Sequence, residues 1–247
     1  MNTPSAHLYI VTGASRGLGR AIAEQLLQPG HAVLGISRHA PAAPPGLEQW
    51  ACDLADPLPV AARLQAWLEA LAPANFSSAT LINNAAFLAE PRPLRDADAA
   101  SLSAAVRVGL EAPLLLTAAF LRATREWKAD KRALHISSGL GRRAMASQAP
   151  YCAVKAALDH LARAQVLEEA LLENGAKVVS LAPGIIDTDM QVQLRGAEPS
   201  AFPDRDAFVQ MKTGGRLDSP AVAAAKVVAY LRRPDFGQQP VADVRDA

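Results

Sequence analysis

The sequence predicts a single α/β domain in which a parallel sheet of about seven strands is doubly wound, with helices on both faces. Three observations carry that expectation. Short aliphatic runs bounded by turn residues alternate with Ala- and Leu-rich stretches of helical spacing, as in β-α-β units. The first of these runs ends in a glycine-rich turn that opens a helix. Finally, 247 residues, 50% of them hydrophobic, suffice for one sizeable core.

The strands are expected at Leu8–Thr12, Ala32–Ser37, Gln49–Cys52, Thr80–Asn83, Ala133–Ser137 and Lys177–Leu181, with a weaker one at Val241–Val244. Helices are expected between them at Gly17–Gln28, Leu58–Leu71, Asp98–Lys128, Pro150–Asn174 and Pro220–Arg232. The third helix should break near Pro113, because proline removes a backbone donor. Ala40–Gly46, rich in Pro and Ala, reads as a loop, and no repeat, tail or domain boundary interrupts residues 1–247. Asp187–Gly215 is polar, with turn signals at Pro199, Pro203 and Gly214–Gly215. An irregular stretch of that length after a strand reads as a lid or substrate loop.

Lys plus Arg total 25 against 24 Asp plus Glu, a net charge of +1, so no electrostatic pull toward nucleic acid or an anionic membrane is expected. Cys52 and Cys152 are far apart and lack metal-ligand spacing, which fits a reducing cytoplasm better than a disulfide scaffold. Met1–His7 does not read as a signal peptide, and the apolar stretch Ala112–Leu121 is short for a membrane span.

The first strand runs into Thr12-Gly13-Ala14-Ser15-Arg16-Gly17-Leu18-Gly19. Glycines at 13, 17 and 19 allow a tight turn and close backbone approach, and a following helix N-terminus offers free N–H groups to a pyrophosphate. A tight strand-to-helix connection alone could use the same glycines. Placed between the first strand and first helix, the motif points to a dinucleotide and a Rossmann-type sheet. NAD selection generally needs a carboxylate after the second strand, and here the strand ends Ile36-Ser37-Arg38. Arg16 and Arg38 could pair a 2′-phosphate, so NADPH is expected over NADH, although both could be ordinary solvated arginines.

Tyr151 and Lys155, four residues apart, share one face of a helix. A phenol serves as an acid near neutrality if its pKa falls, and a neighbouring ammonium moves it that way. Ser138 ends the fifth strand, where its hydroxyl could steady a carbonyl oxygen. A Tyr-x-x-x-Lys pair also occurs by chance on exposed helices. Together with the glycine turn and the Ser137-Ser138 strand end, chance explains it poorly.

These pieces resemble the short-chain dehydrogenase/reductase family over essentially the whole chain: Thr12–Gly19, Asn83-Asn84-Ala85, Ile136-Ser137-Ser138, Tyr151–Lys155 with Ala156-Ala157-Leu158, and Pro183-Gly184 with Thr188. The resemblance implies that Ser138 orients the carbonyl, Tyr151 donates the proton and Lys155 binds ribose. It also implies that Gly13, Ser15, Arg16, Gly17, Leu18, Gly19, Ser37, Arg38, Asp53, Leu54, Asn83, Ala85, Pro183, Gly184, Ile186 and Thr188 surround the cofactor, Asp53 near adenine and Pro183–Thr188 near the nicotinamide. Pro150-Tyr151-Cys152, Ile186–Gln191 and Gly215–Pro220 are similar to the sepiapterin and benzil reductase branch. One position departs. The family carries an asparagine, which bends the helix and holds a water near the lysine, where this chain has Gly109, ahead of Ala112–Thr117.

Cys152, Cys52 and His135 read as packed residues, and His160 has no motif partner, so no metal site is expected. The Leu114–Leu116 run reads as core and subunit interface, and the resemblance implies a homodimer or homotetramer. The leading function is an NADPH-dependent reductase of a small ketone or diketone, its pocket walled by Leu140, Met145, Ile185 and the loop after Met190. An alcohol dehydrogenase working oxidatively, or a weakly catalytic NADP-binding regulatory or scaffold protein, are the alternatives.

Overall fold

A computed structural model describes residues 6–40 and 44–246. Residues 41–43 of the expected Ala40–Gly46 loop and most of the Met1–His7 segment lie outside the described residues. Seven parallel strands form one sheet: β1 (Ala6–Thr12), β2 (His31–Ser37), β3 (Leu47–Ala51), β4 (Phe76–Asn83), β5 (Asp130–Ile136), β6 (Lys177–Ala182) and β7 (Val241–Asp243). Their order across the sheet is β3-β2-β1-β4-β5-β6-β7. The chain reverses its direction of travel between β1 and β4, and a ligand crevice opens at the carboxyl ends of strands at such a point.

Helix α1 (Gly17–Leu26) and the last helix, Pro220–Leu231, pair on one face of the sheet around Ile22, Leu26, Ala224 and Val227. On the other face α2 (Pro57–Glu69) packs against a helical run built of α3 (Ala99–Val106), a π turn (Arg107–Glu111) and α4 (Ala112–Ala123). Leu64, Leu68, Leu116 and Phe120 are fully buried there. Each such side chain contributes roughly 1.5–3 kcal/mol by leaving water. The run from Ala99 to Ala123 is thus long and apolar enough to cross a bilayer by length and composition, contrary to the short stretch expected, but one face of it is core of this sheet.

The expected break at Pro113 is corrected to this π turn. Pro113 has no N–H to give the Gly109 carbonyl, and the Ala112 N–H reaches back to the Arg107 oxygen instead. The helix continues through the proline without breaking. The long helix carrying Tyr151 is α5 (Ala149–Glu169), which lies beside α3 and the π turn. The segment Asp187–Gly215, expected to be irregular, holds two short helices, α6 (Asp189–Arg195) and α7 (Arg205–Thr213); the last helix is α8. Phe202 and Phe208 give this segment its own apolar centre, which composition averaged over a polar stretch conceals.

Candidate active site

The crevice is built from the ends of β1 and β4. The Thr12 hydroxyl accepts the N–H groups of Asn84 and Ala85 at 2.9 and 3.0 Å, and the Asn84 amide donates to the Thr12 carbonyl at 2.9 Å. Asn84, which the sequence reading quoted but gave no role, therefore clamps the glycine turn. A Cβ at Gly19 would stand 2.3 Å from both Asn84 Nδ2 and the Gly13 carbonyl oxygen, and Gly13 and Gly17 have φ of +69° and +55°. Only glycine fits these backbone positions at no strain. Helix α1 has no side-chain cap at Arg16, whereas Asp98 caps α3 and Ser219 caps α8. The first N–H groups of α1 thus have no side-chain acceptor at the cap.

Ser37, next to that turn, is buried and gives its hydroxyl to the His39 carbonyl at 2.8 Å, while Arg38 is exposed. Asp53 is exposed and turns one oxygen to the Ala55 N–H, and Leu54 beside it is core. Asn83 is buried in the sheet, its amide donating to Thr117 Oγ1 at 3.0 Å and to His135 Nδ1 at 3.2 Å. His135 then carries its proton on Nε2, which donates to Gln165 Oε1 at 2.9 Å, and burial lowers its pKa. It is packed and hydrogen-bonded, as expected. Among the described residues no His, Cys, Asp or Glu cluster could hold a metal.

Ser138, Tyr151 and Lys155 come together at the end of β5. The Ser138 hydroxyl draws the Tyr151 phenol pKa down, but burial is the larger effect and the phenol sits above its ordinary value. The expected net lowering by Lys155 is therefore not seen. The lysine is almost fully buried, its Nζ donating to the Ile136 carbonyl at 2.6 Å and lying 5.5 Å from the tyrosine ring centre. Burial pulls Lys155 down to about 8, and the Asp159 carboxylate opposes that fall.

Two further features were not legible beforehand. Ser147, just before α5, has a φ of +63°, which non-glycine residues rarely adopt, and its hydroxyl donates to the Ala201 carbonyl at 2.6 Å. The Pro183–Thr188 segment is tied down by Asp218, whose N–H donates to Ile185 and whose carbonyl accepts from Asp187. Thr188 approaches the glycine turn, and Arg16 reaches over it to Asp189 at 2.6 Å. Arg16 is thus paired with Asp189, at an exposed position.

The family pattern described as short chain dehydrogenase matches residues 7–199, most of the chain. This chain belongs to the short-chain dehydrogenase family. Members use a nicotinamide dinucleotide, and the chain is an oxidoreductase of that kind. It is 35% identical to a benzil reductase ((S)-benzoin forming) of Bacillus cereus over 93% of this chain and 95% of that protein. It is 32% identical to a sepiapterin reductase of Mus musculus over 92% of each. Among solved structures it matches a short-chain dehydrogenase/reductase from Burkholderia vietnamiensis at 36% identity and a TM-score of 0.65, covering 99% of both chains.

At the short-chain dehydrogenase's variant position, Gly109 faces α5, and a Cβ there would stand 2.6 Å from Val154 Cγ1. Val154 occupies the room that a side chain at 109 would need.

Proposed function

We propose that this chain is an NADPH-dependent reductase acting on the carbonyl of a small, fairly apolar ketone or diketone, with Tyr151 as proton donor. The observation that carries this reading is the wall beside the phenol. Leu88, Leu194, Phe202 and Phe208 form a buried cluster, and Met145, Met190 and Tyr151 pack against it. A substrate with apolar flanks fits beside such a cluster best. The Bacillus cereus relative is named for benzil, an aromatic diketone.

The uncapped α1 terminus and the glycine turn fit a dinucleotide pyrophosphate, and a bound NADPH supplies the hydride. As charge grows on the carbonyl oxygen, Tyr151 gives it a proton and the Ser138 hydroxyl hydrogen-bonds it. The phenol, raised by burial, is protonated at neutral pH as an ordinary tyrosine is, the state that a donor needs in the reductive direction. Lys155 in its ammonium form steadies the phenolate left behind.

The NADPH preference is supported by the end of β2, where Ser37-Arg38-His39 supplies no carboxylate to bind a 2′-hydroxyl. The Arg16–Asp189 pair is 70% exposed on both sides, and such pairs are worth at most about 1 kcal/mol. A 2′-phosphate competes readily with it. The same reading places the protein in a reducing cytoplasm as a homodimer or homotetramer; the free Cys52 and Cys152, the exposed Leu167 on α5 and the exposed Leu171 just after it support it. Initial rates on benzil and a ketone panel, with each cofactor, provide the test. Higher kcat/KM with NADPH is expected. A preference for NADH would remove the cofactor assignment, and no Tyr151-dependent oxidation of either cofactor would remove the reductase.

A further inference from the structure

Behind Lys155 lies a buried charge cluster that the reaction as described does not use. Asp159, one helical turn after Lys155, is 2% exposed. Its Oδ1 accepts the Ser137 and Ser180 hydroxyls at 2.6 and 2.7 Å, the first from just after β5 and the second from within β6. Its Oδ2 accepts no hydrogen bond and meets Arg142 Nε at 3.3 Å as an ion pair. Arg142 comes from the turn after Ser138, donates to the Ala242 carbonyl at 2.7 Å and lies 3.8 Å from Asp243 on β7. The turn reaches this position because residue 141 is glycine: a Cβ would stand 2.9 Å from the Lys155 backbone and 3.0 Å from Asp159 Oδ2.

Burying a carboxylate costs several kcal/mol unless it is paired. Asp159 follows Lys155 by four residues on the same face of α5 and both are buried, so the carboxylate, besides meeting Arg142, acts on Lys155 across little water. The other charged or titratable groups here are few. Tyr151 faces Lys155 from its own helix, and neutral His135 lies on β5. Arg142 and Asp243 stand on the far side of Asp159, with Arg245 paired to Asp243. The π turn packed on α5 presents Gly109 to Val154, while its Arg107 reaches the Ala55 carbonyl.

We propose that Asp159, held by Ser137, Ser180 and Arg142, is the counter-charge that keeps the buried Lys155 side chain in its ammonium form. It is a positioning residue that acts on Tyr151 through Lys155, and in this it rests on the reading of Lys155 given above. The cluster also answers for a site that has Gly109 where a side chain would otherwise organise the lysine's surroundings. Arg142 tempers the carboxylate, so removing the carboxylate and removing the arginine shift Lys155 in opposite directions. A purely structural role predicts no such opposition.

The full-length chain, labelled with 13C at the lysine Cε, is titrated by NMR, the Lys155 signal being identified by its loss in Lys155→Met. Asp159→Asn, which keeps shape and one acceptor oxygen, is expected to lower the Lys155 midpoint by about one pH unit. Arg142→Gln, at a partly exposed site, is expected to raise it, and the alkaline limb of kcat/KM to move with each. An unmoved midpoint in Asp159→Asn, or shifts of the same sign in both, would overturn the proposal. If Asp159→Asn does not fold, Asp159→Ser, which is smaller and keeps a hydroxyl for Ser137 and Ser180, decides: a lowered midpoint supports the counter-charge and an unchanged or raised one removes it. The midpoint is read without turnover. Absence of carbonyl reduction in the native protein, with these shifts present, therefore counts against the proposed activity and not against Asp159.

Discussion

Tyr151 and Lys155 are held by opposing effects, and their balance makes single substitutions informative. Tyr151→Phe removes the hydroxyl proposed as proton donor and keeps the ring that packs against the cluster of Leu88, Leu194, Phe202 and Phe208. It is expected to lower kcat by about 10²–10⁴-fold, with NADPH affinity by fluorescence titration nearly unchanged. The pH dependence has a definite sign. Lys155, drawn down to about 8, loses its ammonium form as pH rises through that value, so reductive kcat/KM should hold below pH 8 and fall above it. A profile still flat at pH 9.5 would show that the charge on Lys155 is not required. Ser138, Tyr151 and Lys155 were legible because their chemistry is bound to short spacings and strand ends. Asp159 was not, since its importance depends on Ser180, Arg142 and Asp243, which only the sheet order brings near. Gly109 shows the same limit. Restoring asparagine there looks simple in sequence, but Val154 Cγ1 at 2.6 Å obstructs it. Gly109→Asn alone should cost about 1–3 kcal/mol by overpacking, and adding Val154→Ala should recover most of the loss in a denaturant melt. Equal stability of single and double variants would refute that steric account.

At the scale of elements, the strands and main helices follow from hydrophobic periodicity, whereas α6 and α7 escaped it. Their apolar contacts are few and made to one another and to the start of α5, around Leu194, Phe202 and Phe208, so a polar stretch hides a small separate cluster. The Ser147–Ala201 hydrogen bond links this lid to the N-terminus of α5, and it is formed by a residue in left-handed backbone. Such strain, of order 1–3 kcal/mol, persists where surrounding structure over-determines it, commonly near a functional site. Ser147→Gly relieves the strain and deletes the tie together. Thermal stability should therefore change by less than about 1 kcal/mol, because the hydrogen bond lost and the strain relieved are of similar size. The KM for a bulky diketone should nonetheless rise several-fold as the lid loosens, with KM for NADPH unaffected. Unchanged substrate KM would show that Ser147 does not couple lid and helix. Ser147→Ala, which keeps the strain and loses only the hydroxyl, separates the two effects by being less stable than Ser147→Gly.

The whole molecule places its catalytic turn against its last strand. β7 is only three residues long, yet Ala242 and Asp243 are buried and receive Arg142 from the turn that follows Ser138. Val244 lies beside Gly184, in the segment expected near the nicotinamide. The far edge of the sheet therefore supports both the turn after Ser138 and the Pro183–Thr188 segment, while the glycine turn after β1 is clamped by Asn84. Ending the chain after Pro240 should separate these dependencies. Losing β7 removes an acceptor and a counter-ion from Arg142, at a cost of about 2–3 kcal/mol, or roughly 5–10 °C in Tm for a domain of this size. Carbonyl reduction should fall more than tenfold, because Ser138 and the Pro183–Thr188 segment lose their backing. NADPH binding should weaken far less, since the Gly13–Gly19 turn is held from the end of β4 by Asn84. Isothermal titration with NADPH beside steady-state rates measures both quantities on one preparation. If affinity and turnover collapsed together in a protein whose melt remained cooperative, the sheet edge would be supporting the cofactor site as a whole, and the division between a clamped binding turn and a separately braced catalytic turn would be wrong.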